Sequence, residues 1–193
     1  MKITIWRVAA FFLLVALSIG VGFGFDAAMT AVERNRYPQD ASLTDAVKQK
    51  SEQYGIPETV LWAILHTGSG FASNYVSADG AIGLMQLTPD QFEFIYTNLW
   101  AKDAPEAGLL YDPATNLEAG SAYLSYLYSR YGVWEQVFAA YVVGTDTVDA
   151  WLKDPSCLSA QGVLQNIPNK QVDAYVKSVN EAIDQYTKLY YHS

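Results

Sequence analysis

The sequence predicts a mainly α-helical domain that follows one apolar N-terminal segment. Apolar residues recur at the spacing of helix faces in segment after segment, and capping residues separate those segments. No stretch shows a convincing alternation of apolar and polar residues that would indicate a β-strand. With 193 residues, of which 51% are hydrophobic and 14% aromatic, the chain can bury a sizeable core.

Charge and cysteine content exclude several classes of function. The formal net charge is -8, so a nucleic-acid partner is not expected, because phosphates demand a basic surface. An anionic polymer would have to be bound through aromatic faces and hydrogen bonds. Cys157 is the only cysteine, so no intrachain disulfide can form, and the redox compartment stays open. Together with His66 and His192 it makes no metal-ligand pattern, and neither a metal nor a cofactor is expected.

Residues 1–25 form the predicted membrane segment. Residues 8–25 are a continuous uncharged run, about long enough to span a bilayer, and Lys2 and Arg7 precede them. A cleaved signal peptide would have a shorter apolar run and a small-residue cleavage site, which the following residues offer only poorly. We therefore favour an uncleaved anchor over a secreted protein. Residues 26–41 are predicted to be a short linker, and residues 42–190 the folded domain.

Capping residues mark the first helices of this domain. Ser42 is predicted to be an N-cap. Gly55 would end that helix, and Pro57 would open the next. The second helix, over residues 58–67, is apolar and leads directly to Gly68.

Further helices follow along the chain. Thr88-Pro89-Asp90-Gln91 has the pattern of a capping box with proline at the first helical position. Asp112-Pro113 opens a longer helix that Gly132 ends. Residues 133–143 are predicted to form a buried helix and residues 145–151 a short one. Loops are predicted over residues 101–110 and 152–169. The last helix carries apolar residues at the i, i+3, i+4, i+7 spacing: Val172, Tyr175, Val176, Val179, Ile183, Tyr186 and Leu189.

A glycine-containing loop between the second helix and Thr88 is the candidate functional stretch. Gly80 and Gly83 leave room for the backbone to approach a ligand. The loop ends in Gly-Leu-Met-Gln, which directs Met85 and Gln86 towards whatever the loop encloses.

This stretch resembles the catalytic segment of the soluble lytic transglycosylases, lysozyme-like enzymes that cut peptidoglycan. Their pattern is a helix ending in Glu-Ser-x-Phe, a loop with a serine, then Gly-Ala-x-Gly-Leu-Met-Gln and a proline at a helix start. The matching residues are Ser69, Phe71, Ser77, Gly80, Ala81, Gly83, Leu84, Met85, Gln86 and Pro89. The mismatch is Gly68, which stands where the family carries its catalytic glutamate. The resemblance implies a goose-type, lysozyme-like helical fold with a small β-hairpin around residues 80–87.

Three later segments extend the resemblance. Asp-Pro is followed by Asn116, then Gly120, then Tyr-Leu, as in the family. The family motif Ala-Ala-Tyr-Asn-Ala-Gly is present from residue 139, but Val142 replaces its asparagine. In the last helix, the family places Glu-Thr shortly before a Tyr-Val pair. This chain has the pair at Tyr175-Val176, but Gln-Val at 171–172 in place of Glu-Thr. The polar residues of the reacting centre are thus lost, whereas the glycines, prolines and aromatics remain.

The resemblance also implies a mechanism that this chain is poorly equipped to perform. The family glutamate protonates the glycosidic oxygen and then takes a proton from the muramic acid 6-hydroxyl, which gives a 1,6-anhydro sugar. Gly68 has no side chain that could do this. Asp79 is the best substitute, although a turn position explains it as well, and Asp90 fits a helix-start acid. Sugar contacts are implied for Ser77, Met85, Gln86, Tyr141 and Tyr175, each of which could instead serve turn formation or packing.

Three functions remain open at this stage. The favoured one is a membrane-anchored domain outside the cytoplasm that binds peptidoglycan glycan strands, or scaffolds cell-wall proteins, without cleaving. The second is an active murein lytic transglycosylase that uses a different acid, with Asp79 as the first candidate. The third is a protein-interaction module whose cleft is vestigial.

Overall fold

The computed structural model describes residues 27–191. Residues 27–36, within the predicted linker, are helical, and residues from Gln39 onward form a separate compact unit. The predicted membrane anchor, residues 1–25, lies outside the described residues. Within residues 27–191, every helix is too short or too polar to cross a membrane.

The compact unit is built from helices, which confirms the mainly α class. Its α-helices are α1 (Thr44–Tyr54), α2 (Glu58–Ser69), α3 (Pro89–Phe94), α4 (Pro113–Tyr131), α5 (Trp134–Val143), α6 (Thr145–Trp151) and α7 (Lys170–Tyr190). Two 3₁₀ turns lie in segments predicted as loops, at Ala107–Tyr111 and Pro155–Cys157. A π-helical turn, Ile95–Leu99, continues α3.

Most predicted caps are present in the structure. Gly55 ends α1 with φ 66° and Gly132 ends α4 with φ 65°, both in the left-handed conformation that suits glycine. Thr88 Oγ1 accepts from Gln91 N at 3.2 Å, and Gln91 Oε1 accepts from Thr88 N at 2.9 Å, which completes the predicted capping box.

Ser42 is not the N-cap that the sequence predicts. Its backbone N–H and its hydroxyl both donate to Asp40 Oδ1, at 2.8 and 2.7 Å. Because this local turn uses the Ser42 side chain, the N-cap position falls one residue later, at Leu43, and α1 begins at Thr44 without a side-chain cap.

The core lies between α2, α5 and α7, with α7 packed most extensively on α2. The apolar face of α7 predicted from its spacing is buried, at Val172, Val176, Val179, Tyr186 and Leu189. Trp62 of α2 stacks on Tyr186 with ring centroids 6.3 Å apart. This packing holds α2, the helix that carries Gly68 in its last turn, against the C-terminal helix.

The small β-hairpin expected around residues 80–87 is reduced to isolated bridges. Val76 pairs with Ile82, and Ile82 pairs with Leu87, without a strand forming in this segment. Gly80, Gly83 and Gln86 all have positive φ, at 82°, 82° and 55°. Three reversals of this kind within seven residues prevent a continuous ladder and wind the segment into tight turns.

Candidate functional site

The Gly-Leu-Met-Gln sequence forms a tight turn over residues 83–86. Ile82 and Leu87, on either side of it, exchange backbone hydrogen bonds of 2.8 and 3.2 Å. A Cβ on Gly83 would come within 2.3 Å of both the Asn116 Nδ2 and the Leu110 carbonyl oxygen. Glycine is therefore required at position 83 by its φ and by the close approach of α4.

Asn116 of α4 holds this turn from below. Its side chain is fully buried, and its Oδ1 accepts from Met85 N at 2.7 Å. Its Nδ2 donates to the carbonyl oxygens of Ile82 and Leu110, both at 2.8 Å. One amide thus bonds three backbone groups, of which the Met85 N–H and the Leu110 carbonyl oxygen would otherwise be buried without partners.

Met85 is part of the core and does not line a cleft. It is 0% exposed, and a Cβ on Gly120 would lie 2.5 Å from its sulfur and 2.8 Å from its Cβ. The glycine on α4 therefore makes space for the methionine. Of the two roles that the sequence left open for Met85, packing is the one that the structure displays.

Tyr141 of α5 completes the support of the turn. Its hydroxyl donates to the Met85 carbonyl oxygen at 2.8 Å, and its own carbonyl oxygen accepts from Gln91 Nε2 at 2.7 Å. Burial, followed by the neighbouring phenols of Tyr175 and Tyr123, raises the pKa of Tyr141 well above its usual value. The phenol is therefore neutral at physiological pH and acts as a hydrogen-bond donor.

Above the turn lies a pocket of about 210 Å³, which we call the groove. Its lining comprises Thr67, Gly68, Ser77, Asp79, Ala81, Gln86, Thr88, Gln91, Tyr141, Val142 and Tyr175. Every site residue predicted from the sequence, except Met85, belongs to this lining. The structure therefore brings together residues that are more than a hundred positions apart in the chain.

Gln86 and Ser77 stabilise the wall of the groove through hydrogen bonds to backbone atoms of residues 75–83. Gln86 Nε2 donates to the carbonyl oxygens of Gly83 at 2.7 Å and Tyr75 at 3.1 Å. Ser77 Oγ accepts from Ala81 N at 3.1 Å. The Gln86 Oε1 and the Ser77 hydroxyl proton are not used in these bonds, so each side chain can still contact a ligand.

Sequence reasoning missed the roles of Thr67, Thr88 and Gln91 in this lining. Thr88 and Gln91 carry the recognisable signal of a capping box, but that signal describes only the start of α3. The reach of Gln91 to the carbonyl oxygen of Tyr141 depends on tertiary packing and leaves no mark in the local sequence.

Asp79 is the one carboxylate among the described residues that line the groove. It is exposed to solvent. Gly68 contributes no side chain, and a Cβ placed there would be 3.4 Å from Gln86 Cγ, an ordinary van der Waals distance. The groove therefore has space for a side chain at position 68 and lacks one.

Val142 and Tyr175 give part of the groove surface an apolar character. Val142 is 46% exposed, so a branched apolar side chain faces solvent next to Tyr141. Tyr175, which is half-buried, offers a phenol whose pKa burial raises above its usual range. Within residues 27–191, no group of three or more His, Cys, Asp or Glu side chains could hold a metal ion.

Comparison with known proteins agrees with this architecture. The family model for the transglycosylase SLT domain matches residues 45–163. The soluble lytic murein transglycosylase of Escherichia coli strain K12 is 30% identical over 158 residues, which cover 80% of this chain and 24% of that protein. The membrane-bound lytic murein transglycosylase C of Yersinia enterocolitica is 38% identical over 86 residues, 44% of this chain and 24% of that protein.

Solved structures give the same result. The 70-kDa soluble lytic transglycosylase of Escherichia coli matches with a TM-score of 0.72 at 28% identity, over 81% of this chain and 25% of that one. An inactive mutant of the lytic transglycosylase Slt from Pseudomonas aeruginosa matches with a TM-score of 0.69, also at 28% identity, over 81% of this chain and 25% of that one.

Fold and site together define a lysozyme-like helical domain with a groove above a Gly-Leu-Met-Gln turn. The chain belongs to the transglycosylase SLT domain family. It spans about a quarter of the length of the curated relatives named above.

Proposed function

We propose that this chain is a peptidoglycan-directed SLT domain that receives a glycan strand in its groove but lacks the general acid needed to cleave it. The observation that carries this proposal is Gly68, which lines the groove at the position where the family resemblance expects the catalytic glutamate. The domain would act by binding glycan or by holding other wall proteins near it.

The chemical argument rests on how the family is understood to cleave. A single carboxylic acid both donates and removes the proton, so its loss removes both proton transfers at once. General acid–base catalysis contributes about two to four orders of magnitude in rate, and a sole acid–base residue contributes at least that much. A chain without this residue keeps the binding surface and loses the reaction.

Val142 supports the same conclusion independently. The family resemblance expects a polar asparagine here, and the structure has an exposed valine on the groove. The buried support of the turn, by contrast, retains every polar contact of Asn116 and Tyr141. A groove whose support is intact and whose reacting surface has become apolar fits a binding role better than a catalytic one.

A second candidate, an active transglycosylase that uses Asp79, is favoured by one observation. Asp79 lines the same groove as Gly68. Its solvent exposure counts against it, because the acids of glycosidases work in partly apolar clefts that favour the protonated form.

Digestion of purified peptidoglycan by the wild-type chain and by Gly68→Glu separates these candidates. We expect no 1,6-anhydro products from the wild type, and we expect the variant to gain activity, since a Cβ at position 68 meets only ordinary contacts. Products are measured by chromatography and mass spectrometry. Release of anhydro products by the wild type at the rate of an active relative would overturn the proposal.

Asp79→Asn, with Asp90→Asn as its matched control, tests the second candidate. Asp90 is also exposed but lies outside the groove lining. If wild-type activity exists and Asp79→Asn abolishes it while Asp90→Asn does not, Asp79 is the acid. If both variants behave as the wild type, Asp79 has no catalytic part.

Binding is tested separately from cleavage. A solved relative, the 70-kDa soluble lytic transglycosylase, is known as a complex with bulgecin A, and it matches this chain with a TM-score of 0.72. We expect the wild-type chain to sediment with insoluble peptidoglycan and bulgecin A to compete for it. Failure to sediment would leave the protein-interaction module as the better explanation.

The proposed location is the cell envelope, with residues 1–25 as an uncleaved membrane anchor and the domain on the outer side. Relatives include proteins named membrane-bound and soluble lytic murein transglycosylases. Retention of the intact N-terminus in the membrane fraction after alkaline extraction would support the anchor. Recovery of a shortened chain in the soluble fraction would favour secretion.

A further inference from the structure

A larger pocket lies away from the groove and shares no lining residue with it. It has a volume of about 700 Å³, within the range of about 300–1,000 Å³ that small-molecule sites occupy. The end of α1, the π-helical turn Ile95–Leu99 and the first turns of α4 enclose it. None of the catalytic or glycan-binding roles considered above uses this pocket.

Aromatic rings form one wall of the pocket. Tyr96 and Trp100 meet edge to face with ring centroids 4.7 Å apart, and Tyr54 lines the pocket from α1. All three rings are partly exposed. Because the Tyr96 and Trp100 rings are partly exposed and nearly perpendicular to each other, they form an aromatic corner in which an apolar ligand face can pack.

The π-helical turn creates this wall. Trp100 N donates to the Ile95 carbonyl oxygen at 3.0 Å, the i to i+5 bond that defines the turn. The wider turn directs Tyr96, Leu99 and Trp100 into one pocket. The turn ends at Leu99, and Ala101, two residues later, has a φ of 51°, which is unusual for a residue with a side chain. Such π-helical turns are rare and occur frequently at functional sites.

The opposite wall of the pocket is polar, and hydrogen bonds within the protein hold its side chains in position. Glu118 Oε1 accepts from Tyr54 Oη and from Gln53 Nε2, the latter at 3.0 Å, and Lys50 Nζ binds Oε2. Burial opposes ionisation of Glu118, but the hydrogen bonds from Lys50 and Tyr54 outweigh it and keep the pKa of this carboxyl below its usual value. Glu118 is therefore a charged acceptor held in one orientation.

This wall keeps hydrogen-bonding capacity for a ligand. Two carboxylate oxygens offer about four acceptor sites, of which the contacts above use three. Gln53 Nε2 has a second N–H that makes no bond within the described part of the chain. Lys102 and Thr115 add an ammonium and a hydroxyl to the same lining.

We propose that this pocket binds a short saccharide. A pyranose ring has one face of C–H groups, which can stack on one ring of the Tyr96–Trp100 corner, and a rim of hydroxyls, which fits the acceptors and donors around Glu118. A purely apolar ligand would leave the Glu118 and Gln53 groups without water or partners, which costs about 1–3 kcal/mol per group. The chain's net charge of -8 argues against a nucleic acid as the ligand.

The proposal is independent of the groove, so its test must read the two sites separately. The full chain is titrated with the N-acetylglucosamine tetramer and followed by ¹H–¹⁵N NMR. The indole N–H resonance of Trp100, assigned with Trp100→Phe, reports the pocket. The side-chain amide resonance of Gln86 reports the groove.

Ala114→Trp is the decisive variant, because it fills the pocket without removing a contact. Ala114 lines the pocket and is exposed on α4. Ala150→Trp is its matched control, because Ala150 is exposed on α6 and lines neither the pocket nor the groove. Gln53→Leu is a second pocket variant, in case Ala114→Trp does not fold, and we expect it to weaken binding about three- to tenfold.

We expect the Trp100 resonance of the wild type and of Ala150→Trp to shift saturably, and the shift to be lost in Ala114→Trp. A Trp100 resonance that stays fixed at the highest tetramer concentration would overturn the proposal. An equal affinity in wild type, Ala114→Trp and Gln53→Leu would also overturn it. If only the Gln86 resonance moves, the groove binds saccharide and the pocket does not.

Discussion

The buried support of the 83–86 turn and the open surface of the groove differ in their polar side chains and hydrogen bonds. The support is polar and saturated: Asn116 and Tyr141 together make four hydrogen bonds to the backbone around the turn. The surface of the groove, by contrast, has glycine at position 68 and valine at position 142, which offer no polar side-chain group to a ligand. The difference teaches that the shape of a groove and its reactivity depend on different residues, so one can persist without the other.

The largest expected change in the free energy of unfolding comes from removing the polar support of the turn. Asn116→Leu keeps the approximate size of the side chain but leaves the N–H of Met85 and the carbonyl oxygen of Leu110 buried without partners. The Ile82 carbonyl oxygen loses one bond and keeps the other, from Leu87 N. We expect the free energy of unfolding to fall by about 3–5 kcal/mol, because each buried unpaired group costs about 1–3 kcal/mol. Urea denaturation measures this change.

Asn166→Leu is the control for this experiment. Asn166 is exposed, and its side chain makes one hydrogen bond within the described residues, from its Nδ2 to the Ser156 carbonyl oxygen at 2.9 Å. We expect it to cost less than about 1 kcal/mol. Equal losses in the two variants would mean that the turn does not depend on the buried amide.

The next effect concerns the packing of the same turn. Gly120→Ala places a Cβ 2.5 Å from the Met85 sulfur and 2.8 Å from its Cβ, so the turn or α4 must shift. Overpacking costs about 1–3 kcal/mol and outweighs the better helical propensity of alanine, so we expect a loss of about 2 kcal/mol. Gly108→Ala, which meets nothing within 4 Å, should leave the unfolding free energy nearly unchanged.

A smaller effect is expected from the hydroxyl of Tyr141. Tyr141→Phe removes the bond to the Met85 carbonyl oxygen and leaves that buried oxygen unpaired, which should cost about 1.5 kcal/mol. Tyr128→Phe is the control, because Tyr128 is 40% exposed and packs by its ring on Trp134. If the two substitutions are equally mild, the support of the turn comes from packing and the Tyr141 hydroxyl contributes little.

The fold was predictable from the sequence where the signals are local. The Thr88 capping box, the Asp112-Pro113 start of α4 and the glycine ends at 55 and 132 each depend on a few neighbouring residues, and all are present. Ser42 was predicted wrongly because Asp40 competes for its side chain within the same turn. Local patterns therefore give the helices, with errors where two local hydrogen-bonding patterns compete.

The arrangement of the groove was only partly predictable. Family motifs identified Ser77, Gln86, Tyr141 and Tyr175, and the structure brings them together in one lining. The core position of Met85 depends on the space left by Gly120, which lies on another helix and has no local signal. The π-helical turn Ile95–Leu99 was likewise not predicted from the sequence.

The smallest expected change in the free energy of unfolding is a gain, and it comes from a substitution on the groove surface. Gly68 lies in the last turn of α2, and its added Cβ would be 3.4 Å from Gln86 Cγ, so Gly68→Ala meets no clash. Alanine is about 1 kcal/mol better than glycine inside a helix, so we expect a gain of about 0.5–1 kcal/mol in the free energy of unfolding. The same glycine-to-alanine change would then destabilise the support at position 120 and stabilise the groove at position 68. A loss of stability at position 68 comparable to that at position 120 would mean that the groove surface is packed as tightly as its support. A glutamate could then not be introduced at position 68 without rearrangement.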